Sequence, residues 1–501
     1  MTALTSAIRY HALQAPERPA LIYHGARITY GGLLERAQQL AGLLARRGVA
    51  KGDVVAVLMK NSAAFVEIAL GVSHAGAVLL PMNFRLAPDE TGYILGHAGA
   101  RLLFVDDELE PSAGGFEPRI VVDRDAQADS RKLAPKAERR EQPVALSGDD
   151  LFRLMYTSGT TDRPKGVMHA YDNYYWKCLD HIVALQMSAA DRLLVVGPLY
   201  HVGAFDLPGL AALIAGGVLC VLREFDPGPV LEAIAEWRLT GGWMAPVMLN
   251  RLLAHPGRDK YDLASFRWLI GGGERTPEQR IREFTGLFRH GRYIDAYGLT
   301  ESCSGDTLME AGREIEKIGS VGRAVPHVAI EIRDDSGHAL PSGEPGEICL
   351  RGPKLTRGYW KDADKTAASF FGDWFRTGDI GYLDQEGFLY LTDRKKDMII
   401  SGGENIASSE VERVVYGLAQ VSEAAVIGLP DEKWGEQVVA VVVAKPGATL
   451  TQEELATHCR RHLAGFKVPR RLILRDALPR NPSGKVLKRV LRDELSGKGG
   501  G

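Results

Sequence analysis

The most informative stretch of the sequence is Tyr156-Thr157-Ser158-Gly159-Thr160-Thr161-Asp162-Arg163-Pro164-Lys165-Gly166. Hydroxyl groups, a glycine that lets backbone amides approach, and one lysine are what a loop needs to hold a polyphosphate. The stretch differs from a Walker A loop, because Gly166 follows Lys165 where that loop has serine or threonine. We interpret it as a phosphate-binding loop. The alternative is a generic polar surface turn.

Strand-like and helix-like patterns alternate on both sides of this loop. Upstream, an apolar run at 54–59, an amphipathic helix near 63–74 and a second run at 78–80 form a βαβ pattern. Downstream, a helix is predicted over 205–214 between two further strands. This alternation predicts an α/β fold, in which a large N-terminal domain has doubly wound parallel sheets with helices on both faces.

The pattern changes past about residue 325, where short strands and hairpin turns predict a β-rich subdomain over 325–393. We place the N-terminal domain at 1–393 and a small α+β domain at 394–496. Residues 497–501 are glycine-rich and are predicted to be a flexible tail.

Two capping boxes are predicted to open helices in the small domain. They are Ser409-x-x-Glu412 and Thr451-x-x-Glu454.

The composition excludes several classes of protein. The chain has 501 residues, with 61 Lys and Arg against 63 Asp and Glu, so no strong positive field favours nucleic acid as the main partner. Its five cysteines include no Cys-x-x-Cys pair, which favours a reduced, cytoplasmic chain without structural zinc. The longest apolar runs fall short of the roughly 20 residues of a membrane helix, so no transmembrane segment is predicted.

Three further motifs carry groups with evident chemistry. Tyr297-Gly298-Leu299-Thr300-Glu301 follows a predicted strand, and its carboxylate can hold Mg²⁺ against phosphate oxygens. Trp374-Phe375-Arg376-Thr377-Gly378-Asp379 puts an acid in a turn suited to a ribose diol. Pro479-Arg480-Asn481-Pro482-Ser483-Gly484-Lys485 puts a lysine on a rigid loop. Taken singly, the acid and the lysine are more often solvated surface charges.

Together and in this order, these motifs resemble the superfamily of adenylate-forming enzymes: acyl- and aryl-CoA synthetases, luciferases and the adenylation domains of peptide synthetases. The resemblance covers essentially the whole chain. It is closest to the fatty-acyl and aryl-CoA ligases, in which stretches such as 396–405 and 431–436 are typical.

The resemblance implies a two-step ligase reaction. A carboxylate resists attack by a thiol because it is negative and its leaving group would be oxide, whereas joining it to AMP supplies a good leaving group. The enzyme would therefore form an acyl-adenylate with loss of pyrophosphate and then pass the acyl group to CoA. ATP, Mg²⁺ and CoA are the implied cofactors, and the substrate is a hydrophobic fatty or aromatic acid, as in fatty acid metabolism.

The resemblance also assigns roles to residues. Lys485 would meet the charge that develops at the α-phosphate, and Thr300 would contact that phosphate. Glu301 and Thr160 would hold Mg²⁺, and Lys396 would be the hinge on which the small domain rotates. The residues assigned to the phosphates and the adenosine are Thr157, Ser158, Gly159, Thr160, Thr161, Lys165, Gly272, Gly273, Glu274, Tyr297, Gly298, Asp379 and Arg394.

His201 matches the family position that orients the substrate carboxylate, although alone it could equally be a core histidine. The predicted walls of the acyl pocket are Val202, Phe205, Asp206, Trp243, Ala245, Gly271 and Cys303. Asp206 could also help to deprotonate an amine acceptor, or it could be a helix-terminal charge.

Two departures from the family pattern affect the prediction. Asp162 stands where the phosphate loop usually has glycine, and we expect its side chain to point away from the phosphates. Glu274 and Arg275 make substrates with a polar group credible.

The sequence leaves other functions open. The same adenylation could serve an amine or a carrier-protein thiol, and Asp162 motivates a non-catalytic nucleotide-binding protein. The oligomeric state, a homodimer included, is also open.

Overall fold

The structure is a computed structural model that describes residues 3–133, 139–157, 164–272, 278–394, 397–401, 404–431, 434–480 and 486–496. The chain forms two compact units: Met1–Ala329 with Leu350–Phe375, and Ile330–Cys349 with Arg376–Gly501. The boundary expected between residues 393 and 394 is a different division of the chain, and it stays a prediction.

The first part of the chain alternates strands with helices. Its strands are β1 (Pro19–Tyr23), β2 (Ala26–Thr29), β3 (Val54–Leu58), β4 (Val78–Pro81), β5 (Ala100–Asp106), β6 (Arg119–Val122), β7 (Leu151–Thr157), β8 (Lys165–Ala170), β9 (Arg192–Val195), β10 (Val218–Val221), β11 (Gly241–Met244), β12 (Trp268–Gly272), β13 (Arg292–Tyr297), β14 (Thr307–Leu308) and β15 (Arg323–Ala324). Its helices are α1 (Thr5–Gln14), α2 (Tyr30–Arg46), α3 (Ala63–Ala75), α4 (Pro88–Ala98), α5 (Arg124–Ala128), α6 (Tyr171–Ala184), α7 (Val202–Phe205), α8 (Ala211–Ala215), α9 (Pro227–Trp237), α10 (Pro246–Leu253) and α11 (Glu278–Leu287).

Two mainly parallel sheets organise these elements. Among the described residues, the larger has nine strands in the order β15-β14-β13-β12-β11-β9-β10-β1-β2, and the other has six in the order β6-β5-β3-β4-β7-β8. The predicted βαβ unit is β3-α3-β4, with Val54 paired to Val78 in parallel register. Its helix is buried along its whole length and is capped by Ser62, which accepts a hydrogen bond from the Phe65 amide. The doubly wound α/β prediction is confirmed.

The helix predicted over 205–214 is wrong. The structure has two short helices instead, α7 and α8, separated by five residues of other structure. The interruption follows from Pro208, which lacks a backbone N–H, and from Gly209. Gly209 has a φ of 48° and leaves no room for a side chain, since a Cβ there would lie 1.7 Å from the Phe205 carbonyl oxygen.

Further strands form the β-rich part that the sequence predicts. They are β16 (Ala329–Arg333), β17 (Gly346–Arg351), β18 (Phe370–Phe371), β19 (Trp374–Leu383) and β20 (Leu389–Arg394), with helix α12 at Ala363–Ala368. The sheet order is β16-β17-β19-β18, with β20 paired to β19.

The last part of the chain is the predicted small α+β structure. It contains β21 (Ile399–Ser401), β22 (Glu404–Ile406), α13 (Ser408–Val415), β23 (Val421–Asp431), β24 (Gly435–Ala444), α14 (Gln452–Arg460), β25 (Arg471–Leu474) and α15 (Lys488–Leu495). Alternate residues of β24 enter two different apolar clusters, so both faces of this strand are buried.

No helix in the described ranges is both long enough and apolar enough to cross a bilayer.

Candidate active site

Several predicted site residues meet at one edge of the nine-stranded sheet. Strands β9, β11, β12 and β13 are parallel neighbours, so their carboxyl ends lie side by side. The register pairs Met244 with Gly271 and Gly272 with Ala296. Trp243, Gly271 and Tyr297 are therefore brought to the edge at which open α/β sheets bind ligands.

The loop predicted to bind phosphate is bounded by two strands, its stem, that pair antiparallel. Thr157, the last residue of β7, pairs with Lys165, the first residue of β8. The phenol of Tyr156 lies 2.7 Å from Nδ1 of His97, which ties the stem to α4. Gly166 packs closely against this ring, since a Cβ at this position would lie 3.1 Å from the Tyr156 ring. The two ends of the loop are thus held firmly.

The Lys165 ammonium lies near the predicted magnesium ligand, Glu301. Burial lowers the pKa of Lys165, and the nearby cation of Lys365 lowers it further, while Asp362 and Glu301 act in the opposite direction. Lys165 and Glu301 therefore belong to one electrostatic neighbourhood, as a site for a metal-bound polyphosphate requires.

Glu301 lies in the turn Thr300–Ser302, which follows β13, and hydrogen bonds from a distant segment hold it on two sides. Oε1 of Glu301 accepts a hydrogen bond of 2.8 Å from the Tyr359 hydroxyl, and its carbonyl accepts one of 2.6 Å from the Thr356 amide. Gly298 is needed just before the turn, because a Cβ there would lie 2.3 Å from the amide nitrogen of Gly305.

This carboxylate fits Mg²⁺. The described part of the chain has no group of three or more His, Cys, Asp or Glu side chains that could hold a metal ion. Mg²⁺ commonly uses only one or two carboxylates and takes its other ligands from water and substrate phosphates. Glu301 would supply one such hard oxygen ligand.

His201 is held as a neutral hydrogen-bond donor. It caps α7, with Nδ1 accepting a hydrogen bond of 3.0 Å from the Gly203 amide. Burial lowers the pKa of His201 to about 4, so the ring carries its single proton on Nε2 at neutral pH. His201 is only partly buried, and Nε2 can therefore donate a hydrogen bond to a carboxylate.

Trp243, another predicted pocket residue, lies beside His201. The two rings are nearly parallel, with centroids 6.3 Å apart. A Cβ at Gly197 would lie 2.4 Å from the indole, and one at Gly203 would lie 2.6 Å from it. Both glycines are therefore required by the close approach of the tryptophan. Ala245 and Val202, also predicted pocket residues, are buried. They lie close in sequence to Trp243 and His201.

Three further predicted pocket residues are buried and have partners within the protein. Phe205 packs against the rings of Phe152 and Tyr174. Asp206 is completely buried, and both of its oxygens are bound by Arg153. Cys303 is also completely buried. The assignment of these three side chains to the acyl pocket stays a prediction.

Sequence reasoning missed two buried ion pairs behind the site. Arg153 pairs with Asp206, and Lys354 pairs with Asp306 at 2.9 Å, with all four side chains fully buried. A signal was available for the first pair: Arg153 interrupts the apolar strand β7, whose neighbouring positions are buried. A charge at such a position needs a partner.

The predicted ribose residues are brought together within the second unit. Asp379 on β19 pairs in register with Arg394 on β20. The Asp379 amide donates a hydrogen bond of 3.1 Å to Oγ1 of Thr377, whose hydroxyl donates one of 2.8 Å to the Ile348 carbonyl. Gly378 between them has a φ of 72°, a conformation that glycine adopts easily.

Some predicted residues lie outside the described ranges, and their assignments stay predictions. They are Ser158, Gly159, Thr160, Thr161, Asp162, Gly273, Glu274, Arg275, Lys396 and Lys485.

Known proteins match both parts of this chain. A family model described as AMP-binding enzyme matches residues 8–360, and one described as AMP-binding enzyme C-terminal domain matches residues 410–485. A long-chain-fatty-acid–CoA ligase of Mycobacterium tuberculosis is 37% identical over 98% of each chain, and a feruloyl-CoA synthase of Amycolatopsis sp is 37% identical over 96% of each. The solved structure of o-succinylbenzoate CoA synthetase from Bacillus subtilis with its acyl-adenylate intermediate has a TM-score of 0.88 at 32% identity, covering 97% of this chain and 98% of that one.

The chain belongs to the AMP-binding enzymes. Within them it is an adenylate-forming acyl- or aryl-CoA synthetase, an acid–thiol ligase that forms AMP. It uses ATP to convert a carboxylic acid into an acyl-adenylate and then transfers the acyl group to CoA.

Proposed function

We propose that the substrate of this ligase is a compact hydrophobic acid, with an aromatic ring or a short chain, rather than a long fatty acid. The observation that carries the proposal is the indole of Trp243, which occupies the space beside Gly197 and Gly203. A long alkyl chain in that space would have to displace the indole.

The described residues suit the first half-reaction. Nε2 of the neutral His201 donates to the substrate carboxylate and orients one of its oxygens. Lys165 offers a cation at the stem of the phosphate loop, and Thr300 follows β13 at the same edge of the sheet. Glu301 would hold Mg²⁺, which when bound neutralises phosphate oxygens. By the family pattern, Lys485 supplies the charge at the α-phosphate.

CoA is the acceptor that the structure favours over an amine. The amine alternative had one sequence observation behind it, a base at Asp206 near the acyl pocket. Both oxygens of Asp206 are bound by Arg153 and the residue is completely buried, which makes it a poor base for a substrate amine. Amine or carrier-protein acceptors are tested in the same assay.

A screen of acids tests the proposal. Pyrophosphate release is measured over benzoic, cinnamic, heteroaromatic and fatty acids of increasing length, each with and without CoA, an amine or a carrier protein. We expect the highest kcat/KM for compact aromatic or short acids, and AMP release accelerated by CoA alone among the acceptors. A preference for acids of twelve or more carbons contradicts the proposed substrate class. ADP and phosphate as products contradict adenylation itself.

We also propose that the enzyme works in the cytoplasm, where ATP and CoA are available. Its five cysteines are unpaired and buried, which suits a reducing compartment. A homodimer stays a prediction, and sedimentation of the full chain measures it.

A further inference from the structure

A buried chain of hydrogen bonds runs from the end of α7 to the turn that carries Glu301. Asp206 accepts two hydrogen bonds from Arg153, one of them 2.8 Å long. Nε of Arg153 donates to Nδ1 of His169 at 2.9 Å, and Nε2 of His169 lies 2.7 Å from the carbonyl oxygen of Thr300. The side chains of Asp206, Arg153 and His169 are all fully buried.

The direction of these hydrogen bonds is fixed by their chemistry. Arg153 can only donate, so Nδ1 of His169 must accept and Nε2 must carry the ring proton. Burial, reinforced by the positive charge of Arg153, holds the pKa of His169 well below its usual value. The imidazole therefore stays neutral and donates to the Thr300 carbonyl.

The loop that follows Thr300 needs external support. Cys303, Ser304 and Gly305 are consecutive residues with φ values of 56°, 64° and 62°, a left-handed conformation that costs free energy for residues other than glycine. Nζ of Lys354 donates to the carbonyls of Ser304 and Gly305, both at 2.8 Å. His169 holds the beginning of the same loop through the Thr300 carbonyl.

A purely stabilising role does not account for this arrangement. A buried ion pair is often no more stable than apolar residues of the same volume, because both charges lose their hydration. In some proteins such a pair is retained because it defines geometry. Arg153 also lies on β7, four residues before Thr157 at the phosphate-loop stem, so the same strand serves the loop and the turn.

We propose that Asp206, Arg153 and His169 are positioning residues that hold the Thr300–Glu301 turn in the geometry required for adenylation. This rests on the assignment of Thr300 and Glu301 to the adenylation site. The relay serves the first half-reaction and has no part in thioester formation once the acyl-adenylate exists.

The test compares two substitutions of His169 with a matched control. His169→Leu removes the acceptor and the donor, whereas His169→Gln keeps one of each. His74→Leu is the control, because His74 is also buried and bridges the Thr5 hydroxyl at 2.8 Å and the Arg140 carbonyl at 2.7 Å, away from the site.

Three quantities are measured with the full chain: acid-dependent pyrophosphate release, thioester formation from supplied acyl-adenylate, and the rise in melting temperature caused by ATP with Mg²⁺. For His169→Leu we expect pyrophosphate release to fall about 10- to 100-fold, as for other lost orienting contacts. We expect a smaller ATP-induced rise in melting temperature, and thioester formation within about 2-fold of wild type. His169→Gln should recover most of the loss.

The proposal is overturned if His169→Leu slows both half-reactions equally, which is the pattern expected for His74→Leu. It is also overturned if His169→Gln folds normally yet restores nothing. The acid used is whichever gives the highest wild-type rate. A wild type that prefers long fatty acids would refute the proposed substrate class, but it would leave the ratio of the two half-reactions, and so this test, intact.

Discussion

The Tyr359 hydroxyl donates a hydrogen bond of 2.8 Å to Oε1 of Glu301, the carboxylate assigned to Mg²⁺. Burial, followed by the negative charge of Glu301, raises the pKa of Tyr359, so the phenol stays protonated and remains a donor. Together with the Thr356 amide, which binds the Glu301 carbonyl, it fixes this residue from a segment more than fifty positions away.

Tyr359→Phe should therefore weaken the use of Mg²⁺. Loss of a hydrogen bond to a metal-binding carboxylate typically costs about 10- to 100-fold in metal affinity or activity. A titration of pyrophosphate release with Mg²⁺ measures the half-saturating concentration, which should rise at least several-fold. Tyr175→Phe is the control, since its hydroxyl donates to the Ala3 carbonyl, away from the site. Equal Mg²⁺ requirements in the two variants would contradict the assignment.

Trp243→Ala should widen the range of acids. Removing the indole frees the space beside Gly197 and Gly203, so the ratio of kcat/KM for decanoate to that for benzoate should rise at least 10-fold, equivalent to about 1.4 kcal/mol. The substitution should also cost about 3 to 5 kcal/mol of stability, because it leaves a cavity. An unchanged preference in a folded variant would mean that Trp243 does not limit chain length.

Lys354→Met should destabilise the fold strongly. It leaves the carboxylate of Asp306 buried and unpaired and removes the two hydrogen bonds to the Ser304 and Gly305 carbonyls. Breaking a buried pair from one side costs about 3 to 5 kcal/mol, which urea unfolding measures. Arg282→Met removes an exposed pair with Glu278 and should change the free energy of unfolding by less than about 1 kcal/mol. Similar losses in both variants would show that burial adds nothing to the cost of breaking the Lys354 pair.

His201 should make stability depend on acidity. Its pKa falls from 6.5 to about 4 on folding, so the unfolded chain binds a proton that the folded chain does not. The stabilisation is present above about pH 6.5 and is lost as the pH falls towards 4, with about 2 kcal/mol lost between pH 7 and 5. Urea unfolding of wild type and His201→Asn at both pH values measures this contribution. The variant should lose less stability on acidification, and an equal loss would refute the assignment.

Lys485→Ala should separate the two half-reactions. The lysine is predicted to meet charge at the α-phosphate, and loss of such a contact costs about 10²- to 10³-fold in rate. Pyrophosphate release should fall by at least this factor, while thioester formation from supplied acyl-adenylate is retained. Equal loss of both steps would contradict the division of labour between them.

Local sequence signals were reliable only where the interaction itself is local. The capping box at Thr451 and Glu454 forms as predicted, with both reciprocal hydrogen bonds within three residues. The similar signal at Ser409 fails. The helix begins one residue earlier, and the Ser409 hydroxyl donates to the carbonyl of Thr392 instead.

The order of strands, helices and motifs was enough to determine the α/β fold, the small C-terminal domain and the adenylating chemistry. The fold depends on the periodic spacing of hydrophobic residues, and the chemistry was inferred from short motifs that resemble those of a known family. The tertiary structure alone decided which polar residues are buried and which partners they meet there. Asp206 meets Arg153 across 53 positions, and His169 meets Thr300 across 131. A charge acquires its role from the partner that desolvates and pairs it, and folding brings that partner from a distant part of the chain.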